Sequence, residues 1–200
     1  MARVVGVILA AGTATRFDGG NKLLVRYEDE ALVRHAVRSL RTEAIEGTVA
    51  VVGDDRVAAT LADLPVEVRT NPDPEAGLGP SVAIGAAAAA ERGATAAAFL
   101  PGDMPCVAPA TVDRLVEVHV DDPETVVVPV WSGRRGNPVV FPAGHFDRLR
   151  TLEDDVGGRV LLAEVPTTRV AVEDPGIHVD VDTRDDLTRL RQSGCDAIRS

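Results

Sequence analysis

Two hydrophobic patterns alternate along the chain. Short apolar runs rich in β-branched residues predict strands, and they lie at residues 4–9, 48–52, 66–69, 96–100, 126–130, 139–141 and 169–172. Segments with helical spacing or helix-forming composition predict helices, and they lie at residues 32–40, 55–61, 81–92, 110–120, 156–163 and 185–191. Strands that alternate with helices need crossover connections, so we expect a mainly parallel sheet covered on both faces.

The segment from Trp131 to Phe141 departs from this alternation, because two short strands follow one another without a helix between them. The glycine-containing stretch 132–136 predicts a turn, and we expect an antiparallel addition at the edge of the sheet. At 200 residues, the chain can bury roughly 70% of its unfolded surface, and we expect one domain over residues 1–200. Ligands of open α/β sheets bind beyond the carboxyl ends of the strands, so the chemistry should lie just after each strand.

Composition argues against two classes of partner. A net charge of −10 and an aromatic content of 3% do not suit a nucleic-acid surface, which needs basic side chains and stacking platforms. No run approaches the roughly 20 apolar residues of a membrane span, and no charged leader precedes the first strand, so we expect a cytoplasmic protein that binds no membrane. Cys106 and Cys195 lack metal-ligand spacing, and we expect buried or incidental thiols without a disulfide framework. The four histidines share no motif and receive no role.

The basic residues are distributed unevenly, because 20 of the 21 are arginine and Lys22 is the single lysine. This lysine closes a segment of small residues, LAAGTATRFDGGNK, that follows the first strand. Small residues let the backbone amides of Leu9, Ala10, Ala11 and Gly12 approach a phosphate, and Arg16 and Lys22 can neutralise a triphosphate. The segment therefore predicts a phosphate-binding loop that is neither a P-loop nor a dinucleotide fingerprint, since it lacks both spacings.

Aspartates provide candidate metal ligands at two further points. Asp103 follows the strand at 96–100, where a carboxylate can hold Mg²⁺, although an aspartate after glycine is also an ordinary turn former. Asp180 and Asp182 alternate with valines, so both carboxylates would face one side of a strand and repel each other unless a cation lies between them. The alternative for this pair is that Asp182 or Thr183 caps the last helix.

These segments together resemble the MobA-like NTP transferases, in particular the molybdenum cofactor cytidylyltransferase branch. The opening Leu-Ala-Ala-Gly-x-x-x-Arg and Lys22 are followed in the family's order by Asn71-Pro72, Gly77-x-Gly79-x-Ser81-x-x-x-Gly85, Pro101-Gly102-Asp103-Met104-Pro105, Gly136-Asn137-Pro138-x-x-Phe141, Asp155-x-Gly157-x-Arg159 and Asp180-Val181-Asp182-Thr183. The resemblance implies a three-layer, Rossmann-like nucleotidyltransferase fold. It also implies Mg²⁺-dependent transfer of CMP from CTP to molybdopterin, with release of pyrophosphate.

The resemblance also assigns roles to individual residues. It implies Mg²⁺ binding by Asp103, with a second metal-facing position at Asp180 or Asp182, of which we favour Asp180. It places Asn71 near the nucleotide base, although an asparagine before proline is also an ordinary turn residue. The residues Gly79-Pro80-Ser81 themselves predict a helix start, whose free amides could meet the base, ribose or a phosphate, and the alternative for Ser81 is a helix cap alone. The candidates for binding the acceptor are Arg134, Arg135, Asn137 and Arg159. The first two could instead form a solvated hairpin tip, and Arg159 a surface pair with Asp155 that contributes little.

Several alternatives share these residues. Guanylyl transfer to molybdopterin would use the same loop, as would transfer to a phospho-sugar, a phospho-alcohol or phospholactate. A non-catalytic partner that hands a cofactor to a molybdenum enzyme is a rival of a different class, but it would not need Lys22, Arg16 and the aspartates together. An oxidoreductase of the dinucleotide-binding type is disfavoured by the missing fingerprint. The family often has glycine where Asp18 stands, so the path of the loop is open.

Overall fold

The structure is a computed structural model that describes residues 2–12, 17, 20–153 and 162–199. Its strands are β1 (Val4–Ala10), β2 (Arg26–Tyr27), β3 (Glu30–Ala31), β4 (Gly47–Val52), β5 (Val66–Thr70), β6 (Ala96–Pro101), β7 (Val126–Trp131), β8 (Arg134–Arg135), β9 (Val139–Pro142) and β10 (Thr167–Ala171). Its α-helices are α1 (Leu32–Ser39), α2 (Asp55–Leu61), α3 (Leu78–Glu91), α4 (Pro109–Asp121), α5 (Phe146–Leu149) and α6 (Arg184–Arg199), the last with non-helical backbone at Gly194. Short 3₁₀ helices lie at Lys22–Leu24, Pro74–Ala76, Ala143–His145 and Pro175–His178.

The strands predicted from the sequence are all present, as are the predicted helices that fall on described residues. The predicted helix at 156–163 lies mostly outside them. Sequence patterns missed the β2–β3 hairpin, the short helix α5 and the 3₁₀ turns, because elements of two to four residues carry too few positions for a hydrophobic period. Within the described residues, no helix combines the length and apolar character that a membrane span requires.

The central sheet is mixed and mostly parallel, which confirms the expected fold class. Its strand order is β10-β7-β9-β6-β1-β4-β5, with β8 paired to β7. Strands β6, β1, β4 and β5 are mutually parallel neighbours, and β10 is parallel to β7. The antiparallel addition was expected at the edge of the sheet, but its strand β9 lies inside the sheet, between β6 and β7. Its residues are buried on both faces, and β10 takes the edge position instead.

Alternate residues of each strand face opposite layers of helices. Ile8 and Ala10 of β1 belong to a core cluster that includes residues of α1, α2 and α4. Val5 and Val7 of the same strand pack with residues of α3 and α5. This alternation is the period of two that a strand imposes, and it produces the three expected layers. Because β1 and β6 are parallel neighbours, their carboxyl ends emerge side by side at one edge of the sheet.

A third, smaller cluster joins α6 to the loop that follows β6. Its buried residues include Cys106, Val181 and Leu187. Cys106 forms a disulfide with Cys195, 89 residues away, so the expectation of two thiols without a disulfide was wrong. Spacing along the sequence did not show that α6 returns to this loop, and only that path brings the two sulfur atoms together.

Candidate functional site

A cleft of about 690 Å³ opens where β1 and β6 end. One wall comes from the end of β1, with Leu9, Ala11 and Gly12, and from Asp103 after β6. A second part of the lining comes from the β8 segment and from Ile177, His178 and Asp180. Ala10, between the cleft residues Leu9 and Ala11, points into the core and is 1% exposed. The cleft thus lies at the edge of the sheet where the sequence predicted the chemistry.

Lys22 enters this cleft from a 3₁₀ turn. Asn21 caps the turn, because its Oδ1 accepts a hydrogen bond from the backbone N–H of Leu23 at 3.0 Å. The Lys22 Nζ lies 2.6 Å from Oδ2 of Asp103 and 2.6 Å from Oδ1 of Asp182. The lysine side chain is only 14% exposed. Three segments that are far apart in the sequence therefore meet around one ammonium group.

The charges in this cluster do not balance. Burial by itself lowers the pKa of Lys22, but the charges and hydrogen bonds of Asp103 and Asp182 outweigh it and raise the pKa above the ordinary value. Partial desolvation in the cleft raises the pKa of Asp180, and the negative charges of Asp182 and Asp103 add to the effect. Among the described residues, three carboxylates interact with the one Lys22 ammonium, so this part of the cleft has an excess of negative charge that a further cation would relieve. Arg134 and Arg135 line another part of the same cleft.

The two aspartate segments are held together by the backbone. The N–H of Val181 donates to the carbonyl oxygen of Asp103 at 3.0 Å. Thr183 caps α6, because its Oγ1 accepts from the N–H of Asp186 at 3.2 Å while the Asp186 carboxylate accepts from the N–H of Thr183 at 2.8 Å. Asp182 does not serve as the cap, and its carboxylate is free to pair with Lys22. Of the two residues that the sequence offered as caps of the last helix, Asp182 and Thr183, it is Thr183 that caps it.

The first turn of α3 borders the cleft through Leu78 and Ser81, whereas Asn71 and Gly79 do not line it. Asn71 is 2% exposed, and its Nδ2 donates to Oγ of Ser81 at 3.0 Å. Its Oδ1 accepts from the N–H of Asp73 at 2.9 Å. Gly77, with φ of 101°, turns the chain into α3 in a conformation that side chains disfavour. Asn71 therefore holds the loop between β5 and α3 through these two hydrogen bonds.

Three of the candidate acceptor residues, Arg134, Arg135 and Asn137, lie on the β8 side of the cleft. Arg134 and Arg135 are exposed, line the cleft, and form no ion pair with any residue in the described part of the chain. Asn137 also lines the cleft, its N–H donates to the carbonyl of Ile177 at 3.2 Å, and its Nδ2 lies 3.3 Å from Sδ of Met104. Arg16 and Arg159 lie outside the described residues.

His178 lines the cleft, but the sequence patterns assigned it no role. Its Nε2 lies 3.1 Å from the carbonyl oxygen of Arg134. The available signal was its place two residues before Asp180, but spacing alone could not distinguish it from the other three histidines.

The described residues offer a particular kind of metal site. Among residues 2–12, 17, 20–153 and 162–199, no three His, Cys, Asp or Glu side chains are arranged to hold a metal ion by themselves. Mg²⁺ is commonly held by one or two carboxylates, with waters and substrate phosphates completing its shell. Asp103 and its neighbours Asp180 and Asp182 supply such oxygens at the cleft. The residues present fit a divalent cation that is shared with a bound phosphate.

Known proteins resemble this chain in sequence. A family model described as the MobA-like NTP transferase domain matches residues 6–170. Nicotine blue oxidoreductase of Paenarthrobacter nicotinovorans is 31% identical over 199 residues, which cover 94% of this chain and 96% of the relative. Phosphoenolpyruvate guanylyltransferase of Conexibacter woesei is 31% identical, and the match covers 76% of this chain and 69% of the relative. A probable molybdenum cofactor guanylyltransferase of Thermococcus sibiricus is 31% identical, with coverages of 64% and 63%.

A solved structure resembles the fold over nearly its full length. The crystal structure of Rv0371c from Mycobacterium tuberculosis H37Rv in complex with manganese has a TM-score of 0.79 and 28% sequence identity. The match covers 96% of this chain and 100% of that chain.

Proposed function

We propose, from the premise that the chain belongs to the MobA-like NTP transferase family, that it transfers CMP from CTP to molybdopterin and releases pyrophosphate. Its type of activity is nucleotidyl transfer; the base, the acceptor and the metal are the proposal. One observation carries the assignment of the site: the Lys22 ammonium lies 2.6 Å from carboxylates of both Asp103 and Asp182. A solvated cation in a flexible loop would not be held in this way. The choice of base and acceptor rests on the resemblance of the sequence motifs.

The reaction needs positioning and charge neutralisation, and no covalent intermediate with the protein. An oxygen of the acceptor phosphate attacks the α-phosphorus of the NTP in line, and pyrophosphate leaves. The backbone amides of Ala11 and Gly12 and the start of α3 at Ser81 border the space for the nucleotide. Lys22 exchanges its carboxylate contacts for phosphate oxygens and, with Arg16, stabilises the charge that develops on the leaving pyrophosphate.

The aspartates have a separate role. Asp103, together with Asp180 or Asp182, would hold Mg²⁺, which when bound supplies positive charge to the phosphate oxygens. Among the described residues, Asp103, Asp180 and Asp182 interact with one ammonium, that of Lys22, and this local excess of carboxylates supports the assignment. The manganese complex of a relative also supports a divalent cation. The backbone bond from Val181 to Asp103 keeps the two aspartate segments at a fixed separation.

The acceptor side is assigned to the wall that carries Arg134 and Arg135. Guanidinium groups bind phosphate through paired hydrogen bonds, and these two have no ion pair to give up within the described residues. We propose that they, with Asn137 and Arg159, bind the phosphate and neighbouring atoms of the acceptor.

Guanylyl transfer is the second candidate, and two relatives are named guanylyltransferases. One of these acts, by its name, on phosphoenolpyruvate, so a small phosphorylated acid is an alternative acceptor. A relative named an oxidoreductase matches 94% of this chain and requires an additional control, although this sequence has no dinucleotide fingerprint. A carrier that passes cofactor to a molybdenum enzyme would bind the same ligands without turnover.

The test is pyrophosphate release from each of CTP, GTP, ATP and UTP, with Mg²⁺ or Mn²⁺, with and without molybdopterin that bears its phosphate. Because the chain is strongly acidic, the assay is run at low and high salt. Pyrophosphate release from CTP only when molybdopterin is present supports the proposal. Release only from GTP would support guanylyl transfer, the second candidate, instead. Phosphoenolpyruvate replaces molybdopterin in a parallel series, and oxidation of NADH or NADPH is followed in another.

Variants separate catalysis from binding. Asp103→Asn should reduce turnover by about 10³-fold, the order of a lost transition-state charge contact. The matched control is Asp147→Asn, whose side chain is 95% exposed and which lies on α5, away from the cleft. Equal turnover in the two variants would contradict the role of Asp103. Nucleotide binding by the wild type without turnover under any condition would favour the carrier.

A further inference from the structure

We infer that His178 is a positioning residue for the acceptor, because it holds the hairpin of Arg134 and Arg135 over the cleft. The inference rests on the proposed function, and it adds a residue that determines acceptor specificity. The acceptor chemistry it selects is a phosphate monoester, which the two guanidinium groups can bind through paired hydrogen bonds.

The hairpin needs support from outside itself. Strand β8 is two residues long and pairs with β7 at Val130↔Arg135 and Trp131↔Arg134, and one further backbone bond runs from the N–H of Gly136 to the carbonyl oxygen of Pro129 at 2.9 Å. Its turn contains Ser132 and Gly133, both with positive φ, 49° and 76°. A two-residue pairing with two exposed arginines has little burial to fix its position. The direction of the arginines therefore depends on contacts with the rest of the protein.

His178 makes those contacts on both strands of the hairpin. Its Nε2 lies 3.1 Å from the carbonyl oxygen of Arg134 in β8. A carbonyl oxygen can only accept, so Nε2 carries the proton and donates. Its ring also packs against Trp131 of β7, with ring centroids 5.9 Å apart. One side chain thus contacts both strands at the point where the hairpin leaves the sheet.

The turn that carries His178 is itself fixed to the catalytic side of the cleft. Asp174, 3% exposed, accepts hydrogen bonds from the N–H of Ala108 at 2.8 Å and from the N–H of Gly176 at 3.0 Å. A β-carbon at Gly176 would overlap the carbonyl of Cys106, so the turn lies directly against the loop that follows Asp103. His178 therefore sets the hairpin relative to the loop of Asp103.

A purely structural role would not require histidine. The Nδ1 of His178 is buried and has no hydrogen-bond partner among the residues that the structure describes. A buried nitrogen without a partner reduces stability, and phenylalanine would fill the same space without it. What histidine supplies, and phenylalanine does not, is the Nε2–H bond to Arg134.

The first experiment compares kinetic constants of His178→Phe and wild type. Ring packing on Trp131 is retained and the hydrogen bond is lost, so KM for the acceptor should rise about tenfold. KM for the NTP and kcat at saturating acceptor should stay within about twofold of wild type. His178→Gln, which keeps a side-chain N–H donor, should recover most of the acceptor affinity. The matched control is His145→Phe, because His145 also ends a 3₁₀ helix but lies away from the cleft.

A double-mutant cycle tests whether His178 acts through the arginines. In an Arg134→Ala/Arg135→Ala background, His178→Phe should add no further rise in acceptor KM. An equal additional rise would refute the inference, as would a similar rise of both KM values or a loss of thermal stability that accounts for the change. Any of these three results would indicate a general structural role.

A binding measurement keeps the inference separate from the proposed reaction. Trp131 is the single tryptophan of the chain, so its fluorescence reports on the hairpin directly. Glycerol 3-phosphate is the phosphate-monoester probe, and glycerol is its uncharged control. We expect a saturable signal with the phosphate in wild type and His145→Phe, and about tenfold weaker binding in His178→Phe. Identical titrations in all three proteins would overturn the inference. Failure of nucleotidyl transfer in wild type would instead refute only the proposed function.

Discussion

Replacing Lys22 by methionine removes the one cation that pairs with both Asp103 and Asp182 among the described residues, and it keeps an unbranched side chain. Each ion pair is 2.6 Å long, which corresponds to a gross attraction of about 6 kcal/mol at an effective dielectric constant of about 20. Much of that is offset, because the carboxylates regain water: the Asp182 side chain is 46% exposed and that of Asp103 is 20% exposed. We therefore expect a net loss of about 1–2 kcal/mol of folding stability.

The expected effect on catalysis is larger. A charge directed at the leaving pyrophosphate contributes about 4 kcal/mol to the transition state, which is about 10³-fold in turnover. Since domains of this kind have roughly 5–15 kcal/mol of stability, the variant should remain folded while it loses activity. The two effects are therefore separable by experiment.

The assay combines pyrophosphate release, urea unfolding and chemical labelling. Because Lys22 is the sole lysine, a reagent specific for amines can modify only this side chain and the α-amino group. Bound NTP should protect Lys22 from the reagent if its Nζ meets the phosphates. The matched control is Arg150→Met, which removes a half-exposed cation that pairs only with Asp147 in the described structure. Near-normal turnover in Lys22→Met, or labelling that NTP does not slow, would refute the reasoning.

Three further perturbations test the surrounding structure. The disulfide from Cys106 to Cys195 closes a loop of 89 residues, so Cys195→Ser should lower the free energy of unfolding by about 4–5 kcal/mol on the chain-entropy account. Urea unfolding should show this difference from wild type without dithiothreitol and lose it with the reductant. An unchanged midpoint without reductant would contradict the prediction. Gly176→Ala places a β-carbon on the Cys106 carbonyl and should cost about 2–3 kcal/mol, whereas a wild-type melting temperature would show that the turn can relax. Hydrogen bonds from Thr183 hold the pKa of Asp186 at about 2, so this carboxylate stabilises the fold above about pH 4 and the benefit is lost as pH falls toward 2. Asp186→Asn should therefore be less stable than wild type at pH 6, with the gap closing in acid, and a gap independent of pH would count against it.

The sequence by itself determined the elements and the end of the sheet where the cleft lies. A strand period of two and a helix period near 3.6 are local properties, so β1, β6 and α4 could be located within a few residues. The composition also singled out Lys22, and the position of Asp103 after an apolar strand placed it at the ligand edge. These inferences need only neighbours in the sequence and the rule that parallel strands end together.

The tertiary structure decided which of these residues meet. Lys22 and Asp182 are 160 residues apart, and no local spacing indicates that α6 begins beside the turn after β1. The inner position of β9, the disulfide of Cys106 and the contact of His178 with the β8 hairpin depend likewise on strand order and on the path of the chain. Hydrophobic patterns specify which face of an element is buried but leave open which other element covers it, and only the folded chain answers that question.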